Sequence, residues 1–265
     1  NVFSQADQEE LLKKYSKEDQ HKLFVTKPLY QRALIVAGGP LANFILALVI
    51  FTFIYMFAGK DFTPAVIDEV LKDSPAEVAG MQKNDVIIEI DNTKVESILD
   101  VSKLIAMSTS EFIDFKVSRY DQEIILKVKP NFVDSVDELG NKLKKRMVGI
   151  KLSPYNNQIT HKKLGPAQAL LQSFNEVYFV TTSSLKYLGS MFTGAGDSSQ
   201  LGGPIRIAKI SGQVAEFGII PFVSMMAYIS ISLGLINLFP IPLLDGGHLM
   251  FCLLYTSDAA DDDTR

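Results

Sequence analysis

One short segment gathers residue types that do chemistry in a place where they are costly. Asn237-Leu-Phe-Pro240-Ile-Pro242-Leu-Leu-Asp245-Gly246-Gly247-His248 closes a stretch, Phe217 to Leu244, that carries no charged side chain. A carboxylate at the end of so long an apolar run is unfavourable unless something compensates it, so such residues are functional candidates by default. Pro240 and Pro242 interrupt a regular helix, and Gly246 with Gly247 permits close backbone approach. Unwound backbone is tolerated at membrane depth where it is buried in protein or lines a polar cavity. Together these residues describe a carboxylate held on an irregular element inside a helical bundle. The plainer alternative is a helix that ends at the water interface, with Asp245 capping the next one. The residue types alone leave both open.

Other chemistry-bearing residues are few. Histidine occurs at His21, His161 and His248 only. His21 and His161 read as exposed polar residues. His248 lies close enough to Asp245 to support it, yet reads first as an ordinary polar side chain. The single cysteine, Cys252, excludes a disulfide framework and any multi-Cys zinc site. No His/Asp/Ser constellation or G-x-S-x-G points to a serine hydrolase.

The elements that must position Asp245 follow from charge and apolar patterning. The chain has 265 residues, 47% of them apolar and 21% charged, with a mean hydropathy of +0.16. That mixture implies apolar and charged blocks kept apart. The net charge of −4 shows no basic stripe with interleaved aromatics, and no nucleic-acid partner is expected. Asn1 to Arg32 is charged, with a short surface helix expected around Leu11, Leu12 and Tyr15. Ala33 to Gly59 then runs without a charge, about the length needed to cross a hydrocarbon core of roughly 30 Å. The cationic flank on its N-terminal side places Asn1 to Arg32 in the cytoplasm and the residues after Lys60 outside.

Residues 60–131 return to soluble character. Strands are expected at Val86–Ile90, Phe115–Ser118 and Ile124–Val128, and a short helix at Ser97–Ser108. Residues 132–163 read as a charged connector, with a further strand possible at Val148–Leu152. Residues 164–193 read as an amphipathic helix suited to an interface, with Ala167, Leu170, Leu171, Phe174, Val177, Tyr178, Leu185 and Leu188 on one stripe. Residues 217–244 form the second spanning candidate. Two crossings return Asp245 to the cytoplasmic side.

The chain opens on Asn1 rather than Met and reads as an interior point of a longer protein. From Cys252 it turns to CLLYTSDAADDDTR, whose first eleven residues resemble the translation of a transposon-type sequencing adaptor. Residues 252–265 are therefore expected to be a sequencing artefact.

The pattern Asn237-x-x-Pro240-x-Pro242-x-x-Asp245-Gly246-Gly247-His248 resembles the second signature of the site-2 proteases, and among them the bacterial regulator-of-sigma-E proteases. Two further blocks stand in the right order. Gln31-Arg32-Ala33 and Ala37-Gly38-Gly39-Pro40-Leu-Ala42-Asn43-Phe44 open the first span. Leu201-Gly-Gly-Pro204-Ile205 and Ile207-Ala208-Lys209 precede the second. The resemblance covers Phe24 to about Phe251. It implies an intramembrane zinc metalloendopeptidase: a membrane protein, a polytopic α-helical bundle with one inserted PDZ-like α+β domain. It makes Asp245 a zinc ligand and gives Asn237 the task of holding the substrate carbonyl or its oxyanion. It also implies a bacterial inner membrane, a surrounding of membrane lipid, and trimmed single-span proteins as substrates, such as anti-sigma factors or leftover signal peptides. These enzymes carry His-Glu-x-x-His on an earlier helix, which this sequence lacks. On that reading the 265 residues alone do not cleave.

Ser74-Pro75-Ala76-Glu77-Val78-Ala79-Gly80-Met81-Gln82-Lys83-Asn84-Asp85-Val86-Ile87 resembles the PDZ pattern S-P-A-x-x-A-G-L-x-x-G-D-x-I, with Asn84 at a left-handed position that usually takes Gly. Asp91-Asn92 is expected to turn the next hairpin, and a carboxylate-binding loop is sought at Pro64–Val70. Such a domain adds a peptide strand to a sheet edge, or serves only as a steric filter. The competing reading of the whole chain is a non-catalytic membrane scaffold that binds peptides. The sequence upstream of Asn1 discriminates: paired histidines there support the enzyme.

Overall fold

The computed structural model describes residues 14–20, 22–136, 142–154, 159–192, 203–247 and 249–250. The helix expected near Leu11 and Leu12, the Leu201-Gly202 block, His21, His248 and the tail from Cys252 lie outside them. The contacts divide the chain into two units, Asn1–Ile50 with Met226–Arg265, and Phe51–Met225.

Two helices are shared between these units. Helix α1 is Leu29–Phe57, with Pro40 inside it. It starts earlier than Ala33 because Pro28, whose carbonyl accepts from the N–H groups of Gln31 and Arg32, suits a helix start. It stops at Phe57 because Gly59 takes φ +93°. Helix α6, Ile219–Leu238, follows Pro166–Phe192 (α4) and Pro204–Glu216 (α5). It ends well before Leu244 because Pro240 and Pro242 cannot continue it. Among the described residues α1 and α6 are the two helices long and apolar enough to cross a membrane, so a larger bundle is not seen.

In the first unit α6 packs on α1 through small residues. The Ser230 hydroxyl donates to the Asn43 carbonyl at 2.8 Å. A methyl on Gly234 would stand 3.0 Å from the Pro40 carbonyl oxygen and 3.2 Å from Asn43 Cβ. Contacts run in opposite chain directions, so the helices are antiparallel. Small residues at a crossing let backbones approach where apolar burial gives no drive between helices.

The second unit holds an antiparallel sheet ordered β6-β5-β3-β2-β9. Its strands are β2 (Ala65–Val70), β3 (Val86–Ile90), β5 (Ile113–Arg119), β6 (Gln122–Val128) and β9 (Ile150–Pro154). A short β4 (Thr93–Lys94) pairs β3. Helix α2 (Pro75–Val78) is capped by Ser74, and α3 (Ile98–Met107) by a Ser97/Asp100 capping box. The core between α3 and the sheet includes Ile67, Ile87, Ile90, Val101, Phe115 and Val117. Asn84 takes φ +71°, and Asp91 and Asn92 take +47° and +61°, the paired positive angles of a tight hairpin turn.

Two expectations are corrected here. Residues 132–163 are not only a connector: β7 (Asn131–Val136) and β8 (Lys142–Met147) form a hairpin, and the strand expected at Val148–Leu152 is present as β9, which completes the main sheet. Nor is Pro64–Val70 a ligand loop on a free edge. Strand β2 pairs β3 on one side and β9 on the other, so its backbone groups are already used. Among the described strands the unpaired edge on that side belongs to β9, entered through Met147–Gly149. Strands β1 (Lys60–Asp61) and β10 (His161–Lys162) pair separately. Helix α5 had no counterpart in the sequence reading, because its charged and polar residues break any long apolar stripe.

Candidate functional site

The segment after α6 folds back on itself. The Phe239, Ile241, Leu244 and Gly247 N–H groups donate to the carbonyls of Ile236, Phe239, Ile241 and Leu244. Pro240 and Pro242 have no N–H to satisfy, so the irregular stretch leaves few orphan donors. Gly246 and Gly247 are required by space: a methyl on either would stand 2.3 Å from the carbonyl oxygen of Phe239 or of Ile241. This tight return delivers Asp245, at the start of the next helical turn and half-buried, to α1.

There its carboxylate meets Gly39. A methyl on Gly39 would lie 2.9 Å from Asp245 Oδ2, whereas one on Gly38 would touch nothing within 4 Å. Gly39 is six residues past Ala33, where the charge-free run begins, or ~9 Å along the helix at 1.5 Å per residue. Asp245 is therefore beside the interior of α1 and not at the edge of the apolar run.

Leu243 takes φ +84°, a left-handed conformation that costs a residue with a Cβ roughly 1–2 kcal/mol. Strain of this kind concentrates where a backbone must place a functional group. Asn237 sits half-buried in the last turn of α6, ahead of the break. His161 is exposed and its Nε2 donates to the Ala58 carbonyl at 2.7 Å, so it closes the end of α1. Among the described residues no three His, Cys, Asp or Glu side chains gather where a metal ion would sit.

In the sheet domain the Asp85 carboxylate is fully buried and held by Arg119, Nε to Oδ1 and a terminal nitrogen to Oδ2, both at 2.7 Å. The Gln82 N–H also donates to it. The bond to Asp85 raises the Arg119 pKa further. Asp85 is thus a structural partner.

The sequence pattern of peptidase family M50 matches residues 6–261. This chain belongs to peptidase family M50. A predicted zinc metalloprotease of Agrobacterium fabrum is 36% identical over 236 residues, covering 89% of this M50 chain and 63% of that protein. Metalloprotease MmpA of Caulobacter vibrioides is 30% identical over 245 residues, covering 87% and 61%. The M50 chain thus spans somewhat less than two thirds of these relatives' lengths. Among solved structures it matches the PDZ domain of an SdrC-like protein from Listeria monocytogenes, at 20% identity and a TM-score of 0.28. That match covers 34% of this chain and 88% of the other. M50 proteins are embedded in membranes, consistent with α1 and α6 as spans.

What the sequence reading missed at this M50 site is Gly39. It was quoted only as part of a pattern. The readable sign was a glycine pair inside a long apolar helix, each costing about 1 kcal/mol relative to Ala and so pointing to a close approach.

Proposed function

We propose that this chain is the carboxylate-bearing part of an intramembrane zinc metalloendopeptidase. The observation that carries it is the Asp245 carboxylate seated against Gly39, inside the apolar run of α1. A catalytic zinc takes three protein ligands and leaves one position open. Asp245 fits as one oxygen donor, half-buried and fixed by a tight backbone return. Among the described residues no three His, Cys, Asp or Glu side chains gather around it. The remaining ligands and the general base are assigned to a His-Glu-x-x-His helix that these 265 residues do not contain, so the chain by itself is inactive.

When bound, zinc supplies Lewis acidity that activates water near neutral pH. This chain's own residues do the positioning. Asp245 presents its carboxylate on a backbone that cannot relax, because Gly246 and Gly247 are locked against Phe239 and Ile241. Asn237, in the last regular turn, offers its amide to the substrate carbonyl oxygen. The break between them keeps a polar segment at membrane depth, where a cleaved transmembrane strand must be admitted.

The antiparallel α1–α6 pair supports two crossings with both ends of the chain on one side. On the charge of Asn1–Arg32 that side is the cytoplasm of a bacterial inner membrane. The PDZ-like domain then stands outside and excludes substrates whose outer domain is intact. The substrates in this reading are trimmed single-span proteins, anti-sigma factors or signal peptides among them.

The test uses the full-length protein in detergent or vesicles. Asp245→Ala is expected to abolish cleavage of a single-span reporter and to lower the zinc content measured by mass spectrometry, with membrane insertion unchanged. Undiminished proteolysis by that variant removes the assignment.

A further inference from the structure

The main sheet ends on β6, and this edge is straight and open. Strand β6 pairs β5 over seven residues, from Arg119↔Gln122 to Ile113↔Val128, with no slip of register. The β2–β9 and β3–β5 pairings both slip. Among the described residues no strand pairs the other side of β6. It carries neither a bulge nor a proline, two common guards of an exposed edge.

Which backbone groups face outward follows from the turn. Tyr120 and Asp121 take φ +49° and +61°, the paired angles of a two-residue hairpin loop. The residues flanking such a loop, Arg119 and Gln122, exchange backbone bonds, and the pattern alternates from there. Gln122, Ile124, Leu126 and Val128 therefore bond to β5. Glu123, Ile125 and Lys127 turn their N–H and C=O groups away from it. The side chains of these three also stand in solvent, Ile125 at 63% exposure, whereas Ile124 and Leu126 pack on the core.

We propose that this edge pairs with the same edge of a second copy, antiparallel about a two-fold axis at Ile125. Residues equally far from Ile125 then meet, so each Glu123 faces the Lys127 of the other copy. Asp121 and Lys129, both exposed, extend the match at each end. Acids precede Ile125 and bases follow it, which makes the edge complementary to itself when the strands run antiparallel. Parallel addition in register would set Glu123 on Glu123 and Lys127 on Lys127, and like charges directly opposite are destabilising. An edge guarded by lysines alone repels every copy of itself; this one does not. Each outward N–H and C=O of Glu123, Ile125 and Lys127 finds a partner in the paired strand. Existing contacts leave the lysines available: Lys127 stands 4.0 Å from Asp114 and Lys129 2.8 Å from Glu111, all on exposed side chains. Exposed pairs of this kind contribute little and exchange readily. The interface is isologous and closes at two copies. The opposite edge, β9, takes no part, and the inference does not depend on proteolysis.

The experiment co-expresses the full-length protein with two different affinity tags, extracts it in detergent, captures one tag and blots for the other. Wild type is expected to co-purify. Glu123→Lys and Lys127→Glu each set like charges across the two-fold axis and should lower co-capture about tenfold. Glu123→Lys paired with Lys127→Glu restores both opposite-charge contacts and should recover co-capture to within about twofold of wild type. The double variant Glu123→Lys/Lys127→Glu should likewise associate with itself. Absence of wild-type association overturns the proposal. Equal co-capture of wild type and both single variants means that copies meet elsewhere, and overturns it too. Loss in the single variants without recovery in the mixed pair means that the changes damage the fold or remove a different partner, and also overturns it.

Discussion

A carboxylate oxygen of Asp245 occupies the space that a side chain on Gly39 would need, 2.9 Å from the position of that missing methyl. Asp245 lies beyond the end of α6, and Gly39 lies in α1. One glycine therefore sets how deeply a carboxylate from another part of the chain can enter. Its neighbour Gly38 has no such task.

Substitution separates the two glycines. Gly38→Ala is expected to leave zinc content and cleavage by the full-length protein near wild type, and to favour the helix slightly. Gly39→Ala pushes the carboxylate away and should lower zinc affinity 10- to 100-fold, the range seen when support for a ligand is lost. Competition with a chelator measures both. Equal behaviour of the two variants would contradict the seat described for Asp245.

The strained residue Leu243 makes a second pair. Its side chain is 94% exposed, so packing hardly enters. Leu243→Gly removes the left-handed penalty, offset in part by the freer unfolded chain. It should denature at or slightly above the wild-type temperature. Leu243→Val is β-branched and is a poor fit to positive φ. It should lose about 1 kcal/mol or more relative to the Gly variant, read by thermal denaturation in detergent.

In the sheet domain, Arg119→Met leaves the Asp85 carboxylate buried without its guanidinium. Breaking a buried pair in this way costs about 3–5 kcal/mol. Proteolysis under native conditions should then cut within residues 61–154 far faster than in wild type. Arg119→Lys should rescue little, because an ammonium cannot reproduce the two-point contact.

Acid should loosen the tie between β1 and the approach to α3. Burial pushes the Glu96 carboxyl upward, but the bond to Lys60 at 2.5 Å, the Lys60 charge and then Lys94 outweigh it and hold the group below its usual value. A carboxyl depressed in the folded state contributes stability that is fully present above its unfolded pKa, about 4.3. That contribution is lost as pH falls through the lower folded value. Hydrogen exchange at residues 96–100, corrected for intrinsic rate, should be flat from pH 8 to 5 and should rise below about pH 4. Glu96→Gln should remove that rise.

Much of this was legible before any coordinates, for reasons that are local. The charge-free runs around Phe44 and Ile231 declare two long helices through length and composition alone. Ser97 with Asp100, and Asp91-Asn92, announce a cap and a turn through side-chain chemistry within a few residues. Asp245 stood out because a carboxylate beside prolines and glycines contradicts the apolar run it ends. What escaped was non-local. Strand β9 lies some eighty residues from its partner β2, and no feature of Ile150–Pro154 names that partner. Gly39 showed its purpose only when Asp245 was placed beside it. The stripe on α4 was readable, but not that its Ser side would be the buried one.

The late arrival of β9 has a consequence for biosynthesis. Ala65, Val66 and Ile67 of β2 are almost wholly enclosed, yet one flank of that strand stays open until Pro154 has left the ribosome. A nascent chain paused near Asn131 therefore displays a bare, apolar β-edge, the template on which chains aggregate. On the proposed reading of α1 as a membrane span, that helix has by then entered the bilayer, which tethers the unfinished sheet and keeps copies of it apart. Fragments cut at residue 131 for expression should precipitate, and those extended to residue 154 should stay in solution.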